Sequence, residues 1–453
     1  MSLFNRTRLT NATFKLDIDR MRRGWYSDKY FENIEAMLST LAAEHTLYDG
    51  QHPSVRPVDL ARADVGNTEV EMQWFTRRPG KTIVVGVDKA LAMLRHCTGT
   101  FDGNHYVETW DQLKVEAVHD GSIVTYNGDP QQVQPVLRVR GRYRDFALLE
   151  TPTLGILTRS SRVATNVYNT LTAARGKPVL FFPARFDLHE VQAADGYAYN
   201  IAVQRFNMDY RQQVSSFVST DAQGDWWGGA GGGTVAHAAI ACFFGDTAAV
   251  MLAFARVRPA SIPRIALVDF NNDSVTDSLR TLDAMFEKYR ELLDARNEEE
   301  AKKHVLFGVR LDTSGSVRDV NVPPLGDPGL DLGVTPRLVF IVRQELDRAW
   351  ERWDLPAAWI DRAQAYCRNV KIVVTGGFSP QKIEKFERLG VPADIYGVGS
   401  SLFNNSDSAG TQTDFTADVV RTKAAGGQWI DVAKVGRRAC DNPDLEPVDP
   451  RDL

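Results

Sequence analysis

No apolar run in this 453-residue chain approaches the ~18 residues needed to cross a bilayer. The longest are stretches such as AAVMLAFA (Ala248–Ala255). The opening MSLFNRTRLTNATF has no apolar h-region, so no secretory leader is expected there. Only four cysteines occur, Cys97, Cys242, Cys367 and Cys440, and none forms a CxxC pair. That spacing excludes a disulfide framework and a zinc site, and the thiols read as reduced side chains of a cytoplasmic protein. Charge of one sign is also missing. Lys and Arg number 53 against 58 Asp and Glu, a net charge of −5. Neither nucleic acid nor an anionic membrane is therefore expected as a partner. The chain shows no internal repeat and no long low-complexity tract.

What remains is an ordinary globular composition, 43% hydrophobic and 25% charged, on a chain long enough for two domains. Residues 1–150 are mixed in character. A helix is predicted over Asp28–His45, with Phe31, Ile34, Met37, Leu38 and Leu41 on one face. Strand-like pieces follow at Val70–Thr76, Ser122–Gly128 and Val136–Tyr143. The last alternates Arg138, Arg140 and Arg142 on one side, as a half-exposed antiparallel strand would. From about Thr151 to Phe403, strands alternate with helices, predicted near Asp277–Arg296, Pro336–Trp353 and Pro380–Leu389. Such alternation builds a parallel sheet or barrel. An incomplete α/β barrel is expected over residues 151–403, and the tail, 404–453, is expected to return to the N-terminal domain or cap the barrel.

Four segments of the second region end a β-branched run in polar or glycine residues. They are IALVDFNND (Ile265–Asp273), VLFGVRLDTSG (Val305–Gly315), KIVVTGG (Lys371–Gly377) and ADIYGVGSS (Ala393–Ser401). In parallel α/β folds, ligands bind at the C-terminal strand ends. Acids, an arginine and small residues gathered there suggest a site for a phosphorylated sugar. Arg310 and Asp312, two apart on a strand, point to the same side. The guanidinium suits a phosphate, and the carboxylate a ribose hydroxyl or a magnesium ion; alone, the pair reads as a rim salt bridge. Gly376, Gly377, Gly399 and Ser400 suit a phosphate cradle, or equally two tight turns. The glycine-rich loop of Asp221–Asp246 leads to Thr234, a candidate N-cap, and a helix of about ten residues with His237 in its first turn. A phosphate site, with His237 as phosphoryl acceptor, competes there with an ordinary helix-start histidine. Asp269 and Asp273 could hold ribose or magnesium, or Asp273 could cap the next helix. Trp226 and Trp227 read as either a core anchor or a pocket wall, the glycines on both sides favouring the wall.

The set resembles the nicotinate phosphoribosyltransferase family, of the type II phosphoribosyltransferases. The matching pieces are SDKYF (Ser27–Phe31), FDLHEVQ (Phe186–Gln192), STDAQG (Ser219–Gly224), GTVAH (Gly233–His237), VDFNND, GVRLDTSG, TGGF (Thr375–Phe378) and YGVGSSLF (Tyr396–Phe403). They span nearly the whole chain in the family's order. The resemblance implies an incomplete α/β barrel with an N-terminal domain onto which the C-terminal residues pack. It implies an enzyme that joins nicotinate to 5-phosphoribosyl 1-diphosphate with magnesium, coupled to ATP through a phosphohistidine at His237. Phe186 and, from the partner subunit of a homodimer, Tyr30 would stack on the pyridine ring, with Asp221 near its edge. Arg310 and Asp312 would hold the ribose and its phosphates, and Gly376, Gly377, Gly399 and Ser400 the 5′-phosphate. His189 stands where an arginine is common, and TSG where SGD is usual. That leaves nicotinamide as the rival base. A phosphoribosyl-binding protein without turnover is the rival of another kind. A barrel aldolase or isomerase would need a rim lysine, and Lys371 opens its strand instead.

Overall fold

The computed structural model describes residues 5–50, 62–233, 235–424, 427–449 and 451. The fold is mixed α/β and divides into two compact units. The first comprises Met1–Tyr168, Tyr197–Arg205 and Asn404–Leu453, and the second Asn169–Gly196 and Phe206–Phe403.

In the first unit, Leu137–Arg142 pairs antiparallel with both Glu69–Thr76 and Lys114–Ala117, and Phe415–Lys423 pairs antiparallel with the other edge of Glu69–Thr76. Trp74, Leu91, Val139 and Leu157 form the centre of its apolar core. The Trp74 indole donates to Thr153 Oγ1 at 3.1 Å, so its one polar atom is satisfied in the interior. The arginine face of Leu137–Arg142 is consumed by acids rather than left in water. Arg138 pairs with Glu116, Arg140 with the buried Glu71, and Arg142 with Asp145. The helix predicted over Asp28–His45 forms over Lys29–Ala43.

The second unit is built on a parallel sheet. Its strands are β1 (Val179–Phe181), β2 (Arg264–Leu267), β3 (Leu306–Leu311), β4 (Lys371–Val374) and β5 (Ile395–Val398). They pair in the order β1-β5-β4-β3-β2. Single parallel bridges extend the β1 edge from Phe181 to Val218 and on to Gly231. Strands buried on both faces must be apolar throughout, and the Ile372–Val374 and Tyr396–Val398 runs are fully buried. Crossover helices cover the sheet, among them Ser274–Asp294, Pro336–Arg348 and Pro380–Arg388. Each starts where its sequence provides a cap. The Asp273, Thr335 and Ser379 side chains accept from the amides of Thr276, Leu338 and Lys382. Asp273 is thereby a helix cap, one of its two sequence readings.

Candidate active site

A cleft of about 1120 Å³ opens at the C-terminal ends of the parallel strands. β2 runs into Asp269, β3 carries Arg310 and delivers Asp312, β4 ends in Thr375-Gly376-Gly377, and β5 in Gly399-Ser400. Arg310, Asp312, Gly376, Gly377, Gly399, Ser400, Phe186, Asp221 and His237 all line it.

His237 begins a helix that runs only to Cys242, not the ten residues expected, and Ala236 at its N-cap offers no side-chain bond. Thr234 lies outside the described residues. Asp269, not the helix, fixes the imidazole. Nε2 stands 3.1 Å from each carboxylate oxygen, and among the described residues Nδ1 has no partner. Burial pushes the Asp269 carboxyl above its usual range, His237 opposes that shift, and the Asp312 charge adds to it. His237, Asp269 and Asp312 each bring a ligand atom within 4.8 Å of the others. Two hard carboxylates and an imidazole at that spacing fit a divalent cation, whose charge would offset the crowding of the two acids.

Arg310 is 3.9 Å from Asp312 and donates to Val235 O at 3.4 Å. Burial lowers its pKa, a cost that Asp312 and Asp269 partly offset. Asp312 is itself held by the Thr375 hydroxyl, which donates to Oδ1 at 2.7 Å. Gly376 and Gly377 adopt φ of 84° and 68°, where a side chain is strained, and among the described residues their N–H groups donate to no acceptor. Gly399 is needed for space, since a Cβ there would lie 2.6 Å from Cε2 of Phe186. The half-exposed Phe186 ring thus lies against the β5 turn.

The glycine-rich loop uses its glycines for close packing as well as for the cleft. A Cβ at Gly224 would meet Gly229 O at 2.1 Å, and one at Gly231 would meet the Thr220 backbone at 2.6 Å. Asp221 closes the loop by accepting from Gly231 N at 2.8 Å. Gly231, Gly232 and Gly233 reach the cleft. Trp226 and Trp227 do not, which corrects their reading as a pocket wall. The Trp227 indole donates to Gln223 O instead, and its ring lies where a Gly229 side chain would have to go.

Three further candidates are not among the cleft residues: Asp269, which reaches the site through its contact with His237, and His189 and Tyr30. His189 is 85% exposed on a short helical turn, with Nδ1 3.2 Å from Glu190. Tyr30 belongs to the first unit, 56% exposed on the Lys29–Ala43 helix, its ring 4.3 Å from that of Phe31. Arg185 and Arg258, by contrast, line the cleft and were not singled out. Arg185 precedes Phe186 on the same turn, its guanidinium 5.3 Å from the Phe186 ring, so adjacency to that aromatic was the available signal. Arg258 carries no motif. It joins because the cleft continues along the strand faces to Ile262, Pro263 and Ile265 at the start of β2.

The fold is similar to that of a solved phosphoribosyltransferase and of a related pyrophosphorylase. Residues 58–161 match the family model described as quinolinate phosphoribosyl transferase, N-terminal domain. The fold is similar to that of nicotinate-nucleotide pyrophosphorylase from Pyrococcus furiosus, with a TM-score of 0.62 and 23% identity over 94% of this chain and 80% of that one. It is also similar to human nicotinic acid phosphoribosyltransferase, with a TM-score of 0.52 and 16% identity over 89% of this chain and 75% of that one. No curated protein sequence matches the chain. None of the helices among the described residues is long and apolar enough to cross a membrane.

Proposed function

We propose that the protein is a phosphoribosyltransferase of NAD metabolism that joins nicotinate to 5-phosphoribosyl 1-diphosphate. The observation that carries this reading is the meeting, in one cleft, of His237 and Asp312 with Arg310, the glycine turns and Phe186, with Asp269 set against His237 and Asp312. The pyridine nitrogen attacks the anomeric carbon as the carbon–oxygen bond to diphosphate breaks, giving nicotinate mononucleotide and diphosphate. Positive charge builds on the ribose ring, so catalysis here consists of positioning and electrostatics. Arg310 faces the phosphates, Asp312 the ribose hydroxyls, and the Gly376–Gly377 and Gly399–Ser400 turns the 5′-phosphate. Magnesium, when bound by Asp312 or Asp269, supplies neutralisation of the leaving diphosphate. Phe186 offers a face for an electron-poor ring.

ATP coupling rests on His237. With Nε2 turned to Asp269, the nitrogen free to take a phosphoryl group is Nδ1. Such a phosphohistidine would then be hydrolysed as the cycle proceeds. Arg185 beside Phe186 favours nicotinate over nicotinamide, because a guanidinium there can pair with the ring carboxylate. It occupies the role left open by the exposed His189. Lys371, the lysine an aldolase would have needed at the rim, is tied to Asp394 at the strand starts.

The test is a mass-spectrometric product assay with magnesium, ATP and 5-phosphoribosyl 1-diphosphate, supplying nicotinate and nicotinamide separately. Nicotinate mononucleotide with ADP release is expected. Nicotinamide mononucleotide would transfer the assignment to the amide, and no product with either base would refute turnover of nicotinate and of nicotinamide.

A further inference from the structure

Lys382 stands on the first turn of the Pro380–Arg388 helix, directly after the Gly376–Gly377 turn in sequence. Its backbone amide bonds the Ser379 cap, and its side chain folds back toward β4. Nζ donates to Gly376 O at 3.3 Å and lies 4.2 Å from the centre of the Phe378 ring. Phe378 is itself buried, edge-on to Phe386 and tilted against Tyr396. Among the described residues, no carboxylate comes within ion-pair distance of Lys382. Burial lowers its pKa to about 8, with Lys385 adding to the shift. A partly buried ammonium without a carboxylate partner carries a desolvation cost, and a cation–π contact recovers only ~1–2 kcal/mol.

The geometry points to Lys382 as a positioning residue for a phosphate monoester held by the Gly376–Gly377 turn. This rests on the phosphoribosyl reading of the cleft. In a trans peptide the carbonyl and the following N–H point in opposite directions. Lys382 holds the Gly376 carbonyl toward its own helix, so the Gly377 N–H is turned to the other side. That N–H meets no acceptor among the described residues, Gly377 lines the cleft, and a side chain built on it would meet open space. Two successive glycines at positive φ present their free amides as an anion-binding concavity. The ammonium behind it adds the charge that a dianionic phosphate would balance. Neither glycine could fix this peptide plane alone, because glycine's own backbone preference is weak.

The experiment is calorimetric binding of ribose 5-phosphate to the full chain, comparing wild type with Lys382→Met and Lys382→Arg. The Met variant should bind about tenfold more weakly, equivalent to ~1.4 kcal/mol, while melting no lower than wild type, since a partly desolvated charge without a carboxylate partner has been removed. The Arg variant, which keeps a donor for Gly376 O, should recover affinity to within about threefold. In steady state, KM for 5-phosphoribosyl 1-diphosphate should rise about tenfold in the Met variant and KM for the base less than twofold. Unchanged ribose 5-phosphate binding in the Met variant would overturn the role of Lys382. A loss shared equally by the Arg variant would also overturn it, since bulk and not a donor would then be the cause. Wild-type protein that binds no ribose 5-phosphate would instead overturn the reading of the cleft itself.

Discussion

Replacing Asp269 by Asn is the sharpest probe of the histidine chemistry. The two side chains have nearly the same volume, and Asp269 is only 8% exposed, so the substitution changes charge with little change in packing. In the native arrangement both carboxylate oxygens stand 3.1 Å from His237 Nε2. They fix the ring's orientation and stabilise the positive charge that accumulates as Nδ1 takes up a phosphoryl group. An amide can hold the ring but cannot supply that charge. Loss of such a carboxylate partner of a reacting histidine costs ~10- to 100-fold, which is ~1.4 to 2.7 kcal/mol of barrier. The assay is the rate of acid-labile labelling from γ-³²P-ATP, quenched in alkali. Asp269→Asn should label ~10- to 100-fold more slowly, and His237→Ala should not label and should lose the benefit of ATP while keeping a slow ATP-independent reaction. Labelling of the Asn variant at the wild-type rate would refute the argument that Asp269 prepares His237, and label in the Ala variant would refute the histidine itself.

Gly399→Ala places a Cβ 2.6 Å from the Phe186 ring, so the ring must move by ~1 Å to reach ordinary contact. Base KM should rise ~10-fold with little change in melting temperature, and an unchanged KM would remove Phe186 from the base site. Glu150 is held near pH 8 by burial, with the Asp418 and Asp28 charges adding to it and the Tyr143 hydroxyl opposing it. Its folded pKa exceeds the usual carboxylate value, so folding takes up a proton and stability falls as pH rises from ~4.5 to 8, by at most ~1.4 kcal/mol per pH unit. Glu150→Gln should therefore out-melt wild type by a margin that widens over that window, and a constant margin would contradict the assignment. Mixing Tyr30→Ala with Arg310→Ala chains should restore activity if Tyr30 completes a partner's cleft in a homodimer, and mixtures as inactive as either parent would reject a shared site.

Much of this molecule follows from local sequence. The β-branched runs ending in polar residues mark β2, β3, β4 and β5, and the acid, arginine and glycines at their ends line one cleft because parallel strands bring equivalent ends to one rim. The cap residues Asp273, Thr335 and Ser379 announce helix starts because capping needs only a side chain and the next turn's amides. Residues brought together by folding were less legible. Asp269 lies 32 positions from His237, and no local pattern shows that it orients the imidazole. Trp226 and Trp227 looked like a pocket wall from the glycines beside them, whereas those glycines leave room for backbone crossings and for the Trp227 ring. His189 fell at a position usual for a site arginine, yet its side chain points into solvent, and Arg185, four residues before it on the other side of Phe186, lines the cleft. The periodicity of a strand or helix is written in consecutive residues; which side chain faces a cleft depends on turns whose direction only the packed sheet sets.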